Sequence, residues 1–375
     1  MAAPRQAERG SAKAALIAVL EERFGTTMGV RLTPLERLFR TRGAVPLALA
    51  WLLFHGAAAA LVIWLANDGR PPGGAHAKLV SLIAWQALHF PVLIALTRLL
   101  TTRSLDIVRR DILPYASDCY AGAVRTALAE LYASPLIRFA PYAVAAVTGA
   151  ASVWTIRDEI APVWWTTQPF PLDLLFWAAS TFLLAFLAMR VVMTALFPRA
   201  FAAALEEDRH SLYPVRPADS PLVRGLARLD RTLLVYWALV FLVWTSIMLL
   251  ILPGKSFGLA SDSPYLFILV PLAGLFSLGL GAEVYLASEA AIGATVRRYS
   301  LERAQALQQE IAALLDDPGD EASAARLERL TRLHDQIIDG GRYGSRFGKA
   351  VSIILPLTLP VIGLIERLFG GTAGP

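Results

Sequence analysis

Two histidines lie in the middle of long apolar stretches, where an imidazole is an unusual side chain. His55 lies within residues 44–66 and His89 within residues 79–100. At a helical rise of about 1.5 Å per residue, each falls about 15–16 Å from the start of its stretch, close to the midplane of a bilayer core of about 30 Å. Gln86 shares a helical face with His89. Since a neutral imidazole both donates and accepts hydrogen bonds, His55, Gln86 and His89 form a candidate path for a small solute or ion.

Two other interpretations of these histidines stay open at this point. Each imidazole could instead hydrogen-bond a neighbouring helix, with Trp51 and Trp85, four residues before each histidine, closing off the pair. Haem ligation between the first two helices is a third interpretation, although no further ligand is evident. The sequence therefore leaves the cofactor unknown and predicts no metal site.

Arg190 and Glu283 are a second pair of polar groups within apolar surroundings. Both fall near the same end of their apolar stretches, at about 24–27 Å from the opposite end. Because an unpaired charge is costly in lipid, we expect them to form a structural ion pair.

Motifs of soluble enzymes are absent from the sequence. There is no HExxH, GxSxG, paired CxxC or glycine-rich dinucleotide fingerprint, and we predict no catalytic residue and no enzymatic activity. A single cysteine, Cys119, excludes an intrachain disulfide. The basic segments lack the interleaved aromatic residues that single-stranded nucleic acid needs for stacking, so no nucleic acid is expected as a partner.

The composition is that of a multi-pass membrane protein. Of 375 residues, 56% are apolar and 17% charged, and the mean hydropathy is +0.52. The apolar residues fall in blocks long enough to cross a bilayer as helices. The predicted spans are 44–66, 79–100, 139–157, 171–197, 233–253 and 264–283.

The distribution of Arg and Lys assigns the loops between these spans to one side of the membrane or the other. The first 43 residues and the loops 101–138 and 198–232 carry nineteen Arg and Lys, whereas the three other loops carry three. The positive-inside rule therefore predicts a cytoplasmic N-terminus and cytoplasmic long loops, in a cell (inner) membrane. Ser134-Pro135 and Ser220-Pro221 precede two of these spans and are typical helix starts.

Amphipathic segments flank the six spans. The N-terminal segment, residues 1–43, places Leu16, Ile17, Leu20 and Phe24 on one helical face, which suits a helix on the membrane or one packed beneath the bundle. Residues 299–315 and 321–339 carry leucine stripes on both sides of Pro318-Gly319, which predicts a cytoplasmic helical hairpin. The apolar stretch 350–365 contains two prolines, and we interpret it as a seventh membrane segment, spanning or re-entrant.

The sequence thus predicts an all-α integral membrane protein of six transmembrane helices plus a seventh C-terminal segment. The predicted parts are a basic amphipathic segment (1–43), a six-helix domain (44–287), a helical hairpin (288–346) and a C-terminal membrane segment (347–375). The leading function is movement of a small solute or ion through a polar path. The first alternative is a scaffold or signalling component, anchored in the bilayer, whose hairpin binds a protein partner. The second is a haem-binding redox protein. An oligomer is compatible with each.

Overall fold

A computed structural model describes residues 12–22, 44–66, 75–167, 172–194, 196–251, 264–316, 321–341 and 343. Helix dominates these ranges, and none of the residues in them forms a β-strand, which confirms an all-α fold. The predicted C-terminal membrane segment and Pro318-Gly319 lie outside the described residues.

Ten α-helices lie within these ranges. In chain order they are α1 (residues 12–22), α2 (Ala44–Ala66), α3 (Ala75–Ile107), α4 (Asp118–Ala133), α5 (Pro135–Thr167), α6 (Leu172–Thr194), α7 (Phe197–Ala204), α8 (Pro221–Ile251), α9 (Pro264–Asp316) and α10 (Glu321–Gly340). A π-helical turn, Val108–Ile112, continues α3, and two 3₁₀ turns, Leu205–Ser211 and Pro217–Asp219, connect α7 to α8.

Serine and proline set several of these helix starts. The Ser117 hydroxyl accepts a hydrogen bond from the Tyr120 backbone N–H at 3.1 Å and caps α4. Ser134 and Ser220 have extended backbone angles, as residues before proline prefer, and α5 and α8 begin at the following prolines. The two Ser-Pro pairs therefore start helices as expected from the sequence.

The best-packed part of the molecule lies in segments that the sequence suggested were loops. We call it the basal core; it gathers α1, the end of α3, the π-helical turn, α4, α7, the first turns of α8 and the middle of α9. Its largest fully buried side chains are Leu16, Leu20, Ile112, Tyr120, Leu128, Phe197, Phe201 and Leu205. The two long predicted loops are thus mainly helical and supply most of this core.

The N-terminal helix α1 belongs to the basal core. Leu16 and Leu20 are fully buried in it, and Ile17 packs against it. Glu21 forms an ion pair with Arg109 of the π-helical turn. Of the two placements left open by the sequence, α1 therefore adopts the one packed on the protein itself.

A glycine permits close contact between α8 and the π-helical turn. A Cβ placed on Gly225 would lie 2.5 Å from the carbonyl oxygen of Asp111, closer than any side chain tolerates. Three residues later, Arg228 pairs with the Asp111 carboxylate at 2.6 Å. The turn and α8 therefore contact each other through both backbone and side chains.

Helix α9 is continuous from the predicted sixth span to the tip of the predicted hairpin. Its 53 residues extend about 80 Å at a rise of about 1.5 Å per residue. The predicted boundary at residue 287 falls inside this helix, and Ile292 and Val296 just after it are fully buried in the basal core. Beyond the core, α9 packs against α10, and Arg326 of α10 pairs with Glu310 of α9.

At the other end of the molecule, α2, α5 and α6 carry large apolar side chains on their outer surfaces. Leu53 is 71% exposed and Val147 69% exposed, and many more apolar side chains are exposed with them. In the described part of the chain, one helical segment, Pro135–Val153, is long and apolar enough to cross a membrane, and Leu52–Leu65 and Leu174–Met189 are shorter apolar helices.

Several helices extend past the predicted spans. α3 runs to Ile107 and α5 to Thr167, each beyond the end of its apolar block, and α8 begins at Pro221, before its block starts. α2 coincides with the first predicted span. Hydropathy thus predicts where the apolar blocks lie but not where the helices end, because helix ends are set by capping residues and prolines.

Candidate functional site

The two histidines lie on neighbouring helices. α2 packs against α3, and His55 and His89 are each only 7% exposed. The His55 ring stacks on Phe176 of α6, with centroids 5.3 Å apart and planes inclined by 30°. The side chains of Gln86, Trp51 and Trp85 lie outside the described residues, so the polar path and the haem site stay predictions.

Glu283 forms an ion pair with Arg199 of α7. Its carboxylate accepts a hydrogen bond from Arg199 of α7 at 2.9 Å, and both side chains are largely exposed. The Arg190 side chain lies outside the described residues, so its pairing with Glu283 is still a prediction.

A buried carboxyl lies at the contact between α8 and α9, where the basal core meets the apolar end. Asp230 of α8 is 6% exposed, and the Ser288 hydroxyl of α9 lies 3.0 Å from each of its carboxyl oxygens. Glu289, the next residue on α9, is also buried. Burial raises the pKa of Asp230 to about 7; the Ser288 hydrogen bond opposes this rise and the Glu289 charge adds to it.

A buried tyrosine is influenced by the charge of this carboxyl and of a second one. The Tyr120 hydroxyl donates a hydrogen bond to the Phe201 carbonyl oxygen at 2.9 Å. Burial, and then the charges of Asp208 and Asp230, raise the pKa of Tyr120 well above its ordinary value. Asp208 is itself buried and accepts a hydrogen bond from the Ser117 backbone N–H at 2.9 Å.

Alternating charges fasten α9 to the connection between α7 and α8. Arg298 donates to Glu206 at 2.5 Å, Glu206 also pairs with Arg209, and Arg209 donates to Glu302 at 2.7 Å. Partial burial works to raise the pKa of Glu206, but the Thr295 hydrogen bond and the two guanidinium groups outweigh it and hold that pKa below its usual value.

A surface cavity of about 360 Å³ opens beside this charge chain, at the base of the hairpin. Its lining is charged and aromatic, and the Arg303 guanidinium lies over the Tyr299 ring at 5.6 Å. The lining residues are Glu206, Glu207, Arg209, His210, Tyr299, Glu302 and Arg303.

The hairpin keeps part of its apolar seam accessible. On α9 and α10 the side chains facing the seam are half-buried, because two helices alone cannot enclose it. These side chains are Leu307, Ile311, Leu314, Leu327, Leu330 and Leu333. At the base, a Cβ on Gly340 would collide with the Val215 carbonyl oxygen, so this glycine allows α10 to end against the connection before α8.

Metal binding finds no support in the side chains that the structure describes: no group of three or more His, Cys, Asp and Glu is arranged for it. Cys119 is a free, exposed thiol at the start of α4.

The buried polar residues of the basal core were not predicted from the sequence, although the sequence does show the pattern of the helices that bury them. Tyr120, Val124 and Leu128 recur at four-residue spacing, as do Phe197, Phe201 and Leu205, which is the pattern of a buried helical face. These segments look short and basic beside the long apolar blocks. Asp230 has no such signal, since its burial depends on α9, which is distant in sequence.

Comparison with known proteins identifies no relative: no family model, curated protein or solved structure matches the chain.

Proposed function

We propose that this chain is a multi-pass integral membrane protein that acts as an anchored docking component for a protein partner. Support for the membrane comes from the apolar side chains exposed on α2, α5 and α6. A water-soluble protein rarely exposes so many large apolar residues on one part of its surface. The bilayer covers them in this proposal, and the basal core stays in water.

The basal core and the hairpin face the cytoplasm in this proposal. The basic segments that the positive-inside rule assigns to the cytoplasm are the same segments that build the basal core. Arg109, Arg199 and Arg228 lie on its exposed surface, close to where anionic lipid head groups would be.

The observation that carries the docking function is the continuity of α9. One helix passes from the apolar end, through the basal core, to a hairpin that projects beyond the core. The hairpin base is fixed by the Arg298–Glu206–Arg209–Glu302 charge chain. A rigid hairpin with a half-buried leucine seam is suited to bind an amphipathic helix, which would complete a three-helix bundle.

Charge specifies the partner further. Residues 304–325 contain five acidic residues and no Lys or Arg, a formal charge of −5 in a chain of net charge +5. Within this segment Glu310 is paired with Arg326, while Asp316 is exposed. We therefore expect a partner helix with leucines on one face and Lys or Arg along its edges.

A photo-crosslinking amino acid placed at Ala313, which is exposed on the hairpin, tests this function in intact cells. The matched control places the crosslinking amino acid at Ala129, which is also exposed but lies on α4. We expect an adduct at position 313 only, mapping to a basic amphipathic helix in the partner. The adduct should be lost in the variant D316N/D317N/D320N/E321Q. No adduct, or one that maps to an acidic or non-helical segment, contradicts the proposal.

Movement of a small solute or ion is the second candidate, because two buried imidazoles lie on adjacent helices. In this function His55, Gln86 and His89 line the path. The paired variant H55N/H89N in liposomes tests it. Folded protein without flux supports the path, whereas wild-type protein that carries no flux across a panel of ions and small solutes contradicts it.

A further inference from the structure

Asp230 of α8 and Ser288 of α9 join these two helices at a buried point. Asp230 lies three residues before the predicted fifth span, and Ser288 lies five residues after the predicted sixth. Both side chains are buried, and the Ser288 hydroxyl is within hydrogen-bond distance of both carboxyl oxygens. A hydroxyl has one proton to donate, so it cannot fully satisfy two buried, charged oxygens.

Asp230 lacks a compensating cation. Among the described residues it forms no ion pair, and the nearest acting charge is the buried carboxyl of Glu289, which has the same sign. An ionised carboxyl that is buried without a cation is costly, and a nearby negative charge adds to that cost. The geometry therefore favours a proton on Asp230.

Among the described residues, the elements around Asp230 contribute no cation that pairs with it. α9 contributes Ser288 and Glu289, and α4 contributes Tyr120, whose pKa is raised by the charges of Asp208 and Asp230. The π-helical turn contributes Asp111, which is paired with Arg228.

Three further elements pack on α8. The C-terminal part of α3 carries Arg98, Arg103 and Asp106. α7 carries Arg199, which pairs with Glu283, and the 3₁₀ turn Pro217–Asp219 carries Asp219, which pairs with Arg224.

We propose that Asp230 is a proton-binding site in the contact between α8 and α9, and that loss of its proton loosens this contact. Deprotonation leaves a charge on Asp230, which has no ion pair among the described residues, inside a buried helix contact. Water must then enter or the helices must separate, and α9 carries any such movement into the hairpin. The consequence for partner binding rests on the proposed docking function, whereas the proton site does not.

Infrared difference spectroscopy of the full chain in lipid nanodiscs tests the proton site directly. A protonated carboxyl gives a carbonyl band that disappears when it ionises. We expect a band that titrates with a midpoint near pH 7, matching the pKa of Asp230 of about 7, is lost in D230N and is retained in D219N. Asp219 is a suitable control because it is an ion-paired surface residue.

Two further variants keep the test decisive if D230N fails to fold. S288A removes the donor that stabilises the carboxylate, so the midpoint should rise by about one pH unit. E289Q removes the neighbouring negative charge, so the midpoint should fall by a similar amount. Shifts in these opposite directions support the proposal. A midpoint unchanged in both variants, or a wild-type protein without a titrating band between pH 5 and 9, overturns it.

The proposed movement of the hairpin is measured by a separate experiment. Spin labels at Thr126 on α4 and Ala313 on the hairpin, both exposed, report the distance between the basal core and the hairpin in a C119S background. We expect the distance distribution to broaden or shift between pH 6 and pH 8 in the wild type and to be independent of pH in D230N. If the distance changes equally with pH in the wild type and in D230N, the Asp230 proton does not control the position of the hairpin. This result does not depend on any partner protein.

Discussion

Ser288 on α9 lies 3.0 Å from both carboxyl oxygens of Asp230 on α8, at a buried contact between helices that are 58 residues apart along the chain at this point. The same two helices continue on one side into the apolar end of the molecule and on the other into the basal core. This contact is therefore where a change in one end would be transmitted to the other.

Stability should depend on pH through Asp230. Its pKa lies near 7 in the fold and near 3.8 in the unfolded chain, so the fold favours the protonated form. The resulting stability is fully present below about pH 4 and is lost as the pH rises through about 7, amounting to about 4 kcal/mol by pH 8. D230N should then be more stable than the wild type by about 4 kcal/mol at pH 8 and by about 2 kcal/mol at pH 5.

Thermal unfolding of the full chain in detergent at these two pH values measures the effect. D219N is the matched control and should keep the wild-type pH dependence. A D230N protein that loses stability at pH 8 relative to the wild type would mean that the carboxylate is stabilised where it lies.

Gly225 should tolerate no side chain. In G225A the new Cβ meets the Asp111 carbonyl at 2.5 Å, and we expect a loss of about 1–3 kcal/mol as α8 moves away from the π-helical turn. G122A is the control, since nothing lies within 4 Å of a Cβ there and alanine favours the α4 helix by up to about 1 kcal/mol. Equal unfolding temperatures for the two variants would show that α8 and the turn do not touch.

Leu16 tests whether α1 belongs to the basal core. It is fully buried, so L16A should cost about 2–5 kcal/mol. L315A removes a leucine that is 59% exposed and should cost less than about 0.5 kcal/mol. If L16A has the same free energy of unfolding as the wild type, α1 is not part of the core, and a helix lying on the membrane surface becomes the better interpretation.

The Tyr120 hydroxyl should contribute to the basal core. Y120F leaves the buried Phe201 carbonyl without this donor, which typically costs about 1–2 kcal/mol. It also removes a polar group near Asp208 and Asp230. Chemical denaturation of Y120F beside the wild type measures the cost, and a stability gain would show that the hydrogen bond is not formed.

Much of the helical architecture follows from local sequence. The first apolar block coincides with α2, and the leucine stripes of 299–315 and 321–339 lie on helices that pack against each other. Ser117, Ser134 and Ser220 mark helix starts through cap and proline chemistry. These features depend on residues within a few positions of one another, which is why sequence reasoning reaches them.

What sequence reasoning missed depends on distant contacts. Hydropathy marks where composition changes, but the backbone of α9 continues unbroken through residue 287 because nothing there ends a helix. The pairing of Glu283 with Arg199 was not predicted, because these two residues are 84 positions apart along the chain. In the sequence, Asp230 lies beside Arg231 and resembles a surface residue. It is buried only because α9 packs against α8.

In the proposed topology, the apolar end lies in a bilayer and the basal core and hairpin lie in the cytoplasm. Cysteine labelling of intact cells with a membrane-impermeant maleimide tests this topology, using G73C and S261C in a C119S background and the native, exposed Cys119 in the wild type. We expect labelling at positions 73 and 261, and labelling of Cys119 only after the membrane is permeabilised. Labelling of Cys119 in intact cells, or recovery of the protein in the soluble fraction, would contradict it.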